Sequence, residues 1–133
     1  MVGWRLAVVL VGVMAMSPPA VAQKPAVAQK SAAVQLQDAD RLLSSGDVAG
    51  AVAALQKIVA ASPSLFEARL PLGRALDLEG RHADARVHLE QALRLASDDE
   101  QRADALLALG VSFAFESKPD EAARYYSAPS TRT

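Results

Sequence analysis

The chain repeats itself at a spacing of 34 residues: Leu42, Gly46, Ala51, Leu55 and Pro63 recur as Leu76, Gly80, Ala85, Leu89 and Ser97, and a weaker third copy follows from Leu109. A fixed period of this size marks stacked supersecondary units, none of which can bury its apolar face alone. Within the period the apolar residues fall at helical spacing, as in Val34, Leu36, Ala39, Leu42 and Leu43, and the first two such runs stop at Gly46 and Gly80. Alanine supplies 28 of the 133 residues and aromatics only 5%, which suits closely approaching helices better than a sheet. The expected fold is all-α, a short α-solenoid of about three helix-turn-helix units.

The first 22 residues carry the three parts of a secretory signal in order. Arg5 is the early positive charge, Leu6 to Met16 form an apolar run, and Ser17-Pro18-Pro19 breaks it before the small-x-small site Ala20-Val21-Ala22. Cleavage after Ala22 is the first expectation; Ala26-Val27-Ala28 repeats the pattern farther from the apolar run. The run is short against the roughly 20 residues that span a bilayer, so no stable membrane span is expected after cleavage, and the product would be periplasmic or secreted.

Removing Arg5 with the signal leaves 13 basic against 15 acidic side chains, without a Lys or Arg cluster. Phosphate neutralisation dominates nucleic-acid binding and calls for a basic patch, so no nucleic-acid partner is expected. The chain has no cysteine, which excludes disulfides, thiolate metal sites and a cysteine nucleophile. The fold must be held by packing alone.

Residues 23–31, with Pro25 and no helical period, read as a flexible lead, and the repeat domain as residues 32–127 in units of about 32–65, 66–99 and 103–127. Asp47 is placed to cap a helix from Val48, while Ser64 with Glu67 and Ser97 with Glu100 have capping-box spacing. Pro71 falls beyond a first turn starting there, which predicts a kink or a late start. Leu109-Gly110 follows Leu72-Gly73 by 37 residues, which predicts a first helix longer by about one turn in the third unit. Pro119 suits the first position of a last helix, and residues 128–133 read as a disordered tail.

These residues resemble the tetratricopeptide repeat, whose 34-residue unit places Leu-Gly in its first helix and a small residue in its second. The likeness covers about residues 32–127 and is closest in the middle unit, at Leu72, Gly73, Leu76, Gly80, Ala85, Leu89 and Ala92. In the first unit Asp38 and Ala39 replace Leu-Gly, and in the third Ser117 stands in the glycine turn. Helix packing would rest on the small residues Gly73, Ala85, Gly110 and Ala122, which let helices approach closely.

The resemblance implies a groove lined by the first helix of each unit. It assigns Leu36 and Asp40 from the first unit, Glu67, Leu70, Arg74, Asp77 and Leu78 from the second, and Asp104, Leu107, Val111 and Phe115 from the third. Leu36 and Asp40 stand where relatives that grip acidic C-terminal tails carry Lys and Asn. The expected ligand is instead a peptide with apolar anchors and a basic group near Asp40 or Asp77. Tyr126 fills a packing slot, whereas Tyr125 is expected at the exposed end of the stack as an end contact.

His82 and His88 are six apart on one helix and point to different faces, while Asp84 and His88 alone supply too few ligands for a metal. There is no phosphate loop or nucleophile elbow, so no catalytic residue, metal or cofactor is assigned. The function expected is that of an exported, non-enzymatic adaptor or scaffold binding a protein or peptide in the bacterial envelope. The alternative is a structural or assembly subunit, a homo-oligomer formed through the C-terminal end. The shortened third unit also fits a truncated member of a longer repeat protein.

Overall fold

The computed structural model describes residues 31–131. The signal at 1–22 and the lead up to residue 30 lie outside the described residues. Six helices follow one another: α1 (Ala32–Ser44), α2 (Val48–Ala61), α3 (Phe66–Leu78), α4 (His82–Leu95), α5 (Asp99–Phe115) and α6 (Pro119–Tyr126). They form three hairpins, α1 with α2, α3 with α4 and α5 with α6. The hairpins stack through α2 against α3 and α4 against α5, and the first helices meet along one side, α1 on α3 and α3 on α5. The chain is an all-α short solenoid.

Short polar side chains set several helix starts. Ser31 accepts from the amide of Val34 at 3.3 Å, and Asp47 from that of Gly50 at 2.9 Å. The two expected capping boxes are different. The residue before α3 is Leu65, which makes no side-chain cap. The residue before α5 is Asp98, whose carboxylate accepts from the Gln101 amide at 2.7 Å, while Gln101 Oε1 accepts from the Ser97 amide at 2.8 Å. The cap therefore forms at Asp98, one residue later than the Ser97 and Glu100 spacing predicts, and the Gln101 side chain reaches back to Ser97 and not to the capping residue. Pro71 gives no late start either, since α3 begins five residues before it and runs to Leu78.

All three hairpins turn in the same way. The amides of Asp47, Arg81 and Lys118 donate to the carbonyls of Leu42, Leu76 and Phe113, at 2.9, 2.9 and 3.0 Å. This 6→1 closure needs one left-handed residue, supplied by Gly46 at φ +85°, Gly80 at φ +77° and, in the third unit, Ser117 at φ +57°. α5 has 17 residues against 13 in α3, which accommodates the longer spacing between units.

Two apolar clusters hold the stack. The first joins Ala39, Val52, Leu55 and Ile58 to Leu72, Ala75, Leu76 and Ala85; the second joins Phe66, Leu70, Leu89 and Ala92 to Ala105, Ala108 and Leu109. Each fully buried leucine contributes about 1.5–3 kcal/mol. The small slots explain the closeness of the helices. A Cβ on Gly73 would meet Leu89 Cγ and Cδ2 at 2.5 Å, and one on Gly110 would overlap the Tyr126 ring. Ala85 and Ala122 are buried at the matching positions of α4 and α6.

Candidate functional site

The exposed apolar side chains gather where α3 and α5 lie side by side. Each residue of α5 matches one 37 positions earlier, so Arg74 and Leu78 stand beside Val111 and Phe115 across a cleft of about 320 Å³. Its walls are Arg74, Asp77, Leu78, Leu107, Val111 and Phe115, and Ala108 forms part of its floor. Leu78, Leu107 and Phe115 are each more than half exposed, an arrangement that leaves apolar surface in water unless something covers it.

One wall is locked by a polar knot. Asp77 is buried, and its Oδ1 accepts from Ser112 Oγ and from His82 Nδ1, each at 2.8 Å. A carboxylate accepts only, so the imidazole must present its Nδ1 hydrogen here. His82 in turn stacks on Phe115, with centroids 5.6 Å apart and planes 22° apart. The knot ties α3, the first turn of α4 and the end of α5 together, and it fixes the Phe115 ring at the cleft. Asp77 is thereby committed inside the protein and is not available to a basic group on a ligand. Arg74 is the exposed charge on the cleft wall.

Six of the eleven groove residues assigned from the sequence line this cleft. Leu70 does not: it is buried in the second cluster under Ala105, Ala108 and Leu109 of α5. Leu36 packs against the first cluster. Asp40 and Glu67 are exposed and Asp104 is half-buried, but none of them reaches the cleft. Ala108, His82 and Ser112 were missed. Ala108 belongs to an ordinary alanine pattern, and the bonds of the other two join residues 5 and 35 apart in sequence.

A second cleft of about 450 Å³ lies on the other flank of α5, lined by Ala103, Leu106, Leu107, Tyr125, Tyr126, Ala128 and Ser130. Leu107 belongs to both clefts. Tyr126 holds the packing slot expected of it against Gly110, but Tyr125 is not the exposed end residue expected. Tyr125 stacks on Phe113 at 5.4 Å and packs against the second cluster, whereas Tyr126 covers Gly110 but remains half exposed. Past α6 the chain returns towards α5, with Arg102 Nε donating to the Pro129 carbonyl at 3.2 Å.

Charges elsewhere on the helices pair both within and between elements. Arg86 lies 4.5 Å from the centre of the Phe113 ring and meets Glu116 at 2.7 Å. Hydrogen bonds from Arg86 and then Lys118 hold Glu116 below the usual carboxylate range. Asp84 pairs with Arg81 at 2.8 Å, and His88 Nδ1 lies 2.9 Å from Arg69 Nη1. Among the described residues no group of three or more His, Cys, Asp or Glu side chains is arranged to hold a metal. No helix among them is long and apolar enough to cross a membrane.

A family model described as the tetratricopeptide repeat matches residues 42–110. No curated protein matches the chain.

Proposed function

Since the chain belongs to the tetratricopeptide repeat family, whose repeats mediate protein–protein interaction, we propose that it is an exported adaptor that holds a protein or peptide against the side of α5. The carrying observation is the row of exposed Leu78, Leu107, Val111 and Phe115 around the cleft, beside Arg74. Such a surface takes apolar anchors, and Arg74 favours a carboxylate next to them. The buried Asp77 and Ser112 are taken up by each other and by His82 in holding the fold, which supports reading the exposed cleft beside them as a binding surface. The signal-like residues 1–22 support action outside the cytoplasm, in a bacterial envelope.

A photoreactive residue in place of Leu78 tests the site, with the same residue at the exposed Val87 of α4 as control. The expected result is a crosslinked protein from position 78 that disappears with Arg74→Glu. Equal crosslinking from both positions defeats the cleft assignment. An N-terminus at Gln23 in the exported protein supports export, and an intact Met1 opposes it.

Assembly through the C-terminal end is the second reading. The second cleft, with Leu107 and Tyr126 exposed at it, favours that reading.

A further inference from the structure

Ala103, Leu107, Val111 and Phe115 are four residues apart, so they form one straight ridge along the exposed face of α5. All four side chains are exposed, and the ridge lies between the two clefts and lines both. Its order of sizes has a symmetry. Turning a second copy of α5 end for end about a point midway between Leu107 and Val111 sets the small Ala103 of each helix against the large Phe115 of the other, and Leu107 against Val111. Ridges of this i±4 type interlock with their own kind.

The charges obey the same operation. Glu100 is exposed before the ridge, and Lys118, whose Nζ also meets Glu116 at 3.0 Å within the chain, is exposed in the turn after it. The operation that pairs 103 with 115 also pairs 100 with 118, so each end of the contact joins an acid to a base. It further brings Asp104 of the second copy to the height of Ala114, about 4.5 Å along the helix from Val111, and Arg74 stands beside Val111 on the cleft wall. A contact that uses one patch on both partners, large against small and acid against base, is what a two-fold dimer requires.

We propose that the protein covering this ridge is a second copy of the same chain, with α5 packed antiparallel on α5. The proposal rests on the reading of this face as a protein-binding surface and narrows it to one occupant. The cleft then serves in the dimer, and Arg74 receives Asp104 of the second copy.

Sedimentation of the chain over a range of concentrations, with the charge-reversed variants alongside, tests this. The expected result is a reversible dimer that Leu107→Glu reduces to a folded monomer by circular dichroism. Glu100→Lys is expected to weaken association about three- to ten-fold, since two exposed pairs are lost per dimer. Adding Lys118→Glu to Glu100→Lys restores the pairs with reversed sign and recovers the association. A monomer at all concentrations overturns the dimer, as does a dimer indifferent to Leu107→Glu. Crosslinking of a different protein from position 78 in that monomer would leave the wider protein-binding reading standing.

Discussion

Leu70 and Leu107 hold the same slot in successive units, yet Leu70 is 6% exposed and Leu107 is 52% exposed. The difference lies in the next hairpin of the stack. Leu70 on α3 is covered by Ala105, Ala108 and Leu109 of α5, whereas Leu107 meets no further hairpin among the described residues. The same contrast holds in the second helices. Leu89 is 0% exposed against Gly73, while Tyr126, 37 residues later, is 51% exposed against Gly110. A repeat unit therefore repeats its internal contact faithfully and owes the burial of its outer face to its neighbour.

This contrast has its largest consequence in truncation of the two equivalent side chains. Leu89→Ala empties a fully buried position of the second cluster and is expected to cost about 2–5 kcal/mol. Tyr126→Ala removes a half-exposed ring and is expected to cost clearly less, about 1 kcal/mol. Urea denaturation of the two variants measures the difference. Equal losses would show that the third hairpin is closed as tightly as the second.

The slots themselves were legible in the sequence because they depend on contacts within one unit. Gly73 and Ala85 announce a close helix pair, and Gly46 and Gly80 announce turns, by their chemistry alone. Coverage was not legible, because Leu70 and Leu107 are the same residue in the same slot and differ only in whether another hairpin packs over them. Asp77 was misread for the same reason. It resembles a groove carboxylate until folding brings Ser112 and His82 to one of its oxygens. The cap at Asp98 displaced the expected Ser97 because both are capping residues and adjacent, so spacing alone does not choose between them.

The turns offer a sharper test, with a smaller expected effect. Gly80 and Ser117 close their hairpins with the same hydrogen-bond pattern and both have positive φ. A left-handed residue with a Cβ carries about 1–2 kcal/mol of strain. No atom lies within 4 Å of a Cβ built on Gly80, so Gly80→Ala should cost about that strain and nothing for crowding. Ser117→Gly should work in reverse and stabilise the chain by up to about 1 kcal/mol, part of the relief being offset by the greater freedom of glycine when unfolded. Thermal unfolding of the pair checks both signs. A Ser117→Gly variant that melts lower than the parent would mean that the serine side chain contributes more than its backbone conformation costs.

The smallest effect concerns the tie between α3 and α4; in the third hairpin Tyr125 stands 37 residues after His88 and is held by ring stacking instead. Arg69 can only donate, so at 2.9 Å from Nη1 the His88 Nδ1 must be an acceptor and the ring neutral. Burial, and then the Arg69 charge, push the His88 pKa below its ordinary value of about 6.5. The unfolded chain therefore takes up this proton at a higher pH than the folded chain does. Stability from this group is complete above about 6.5 and declines as pH falls from there towards the lowered folded value, with no further loss below it. Replacing the ring by His88→Gln keeps an acceptor for Arg69 and removes the titration. The variant should therefore show a flatter fall in melting temperature between pH 7.5 and 5, roughly spanning the histidine range. An unchanged slope would place the acid sensitivity of the stack elsewhere and leave the Arg69 contact a matter of packing alone.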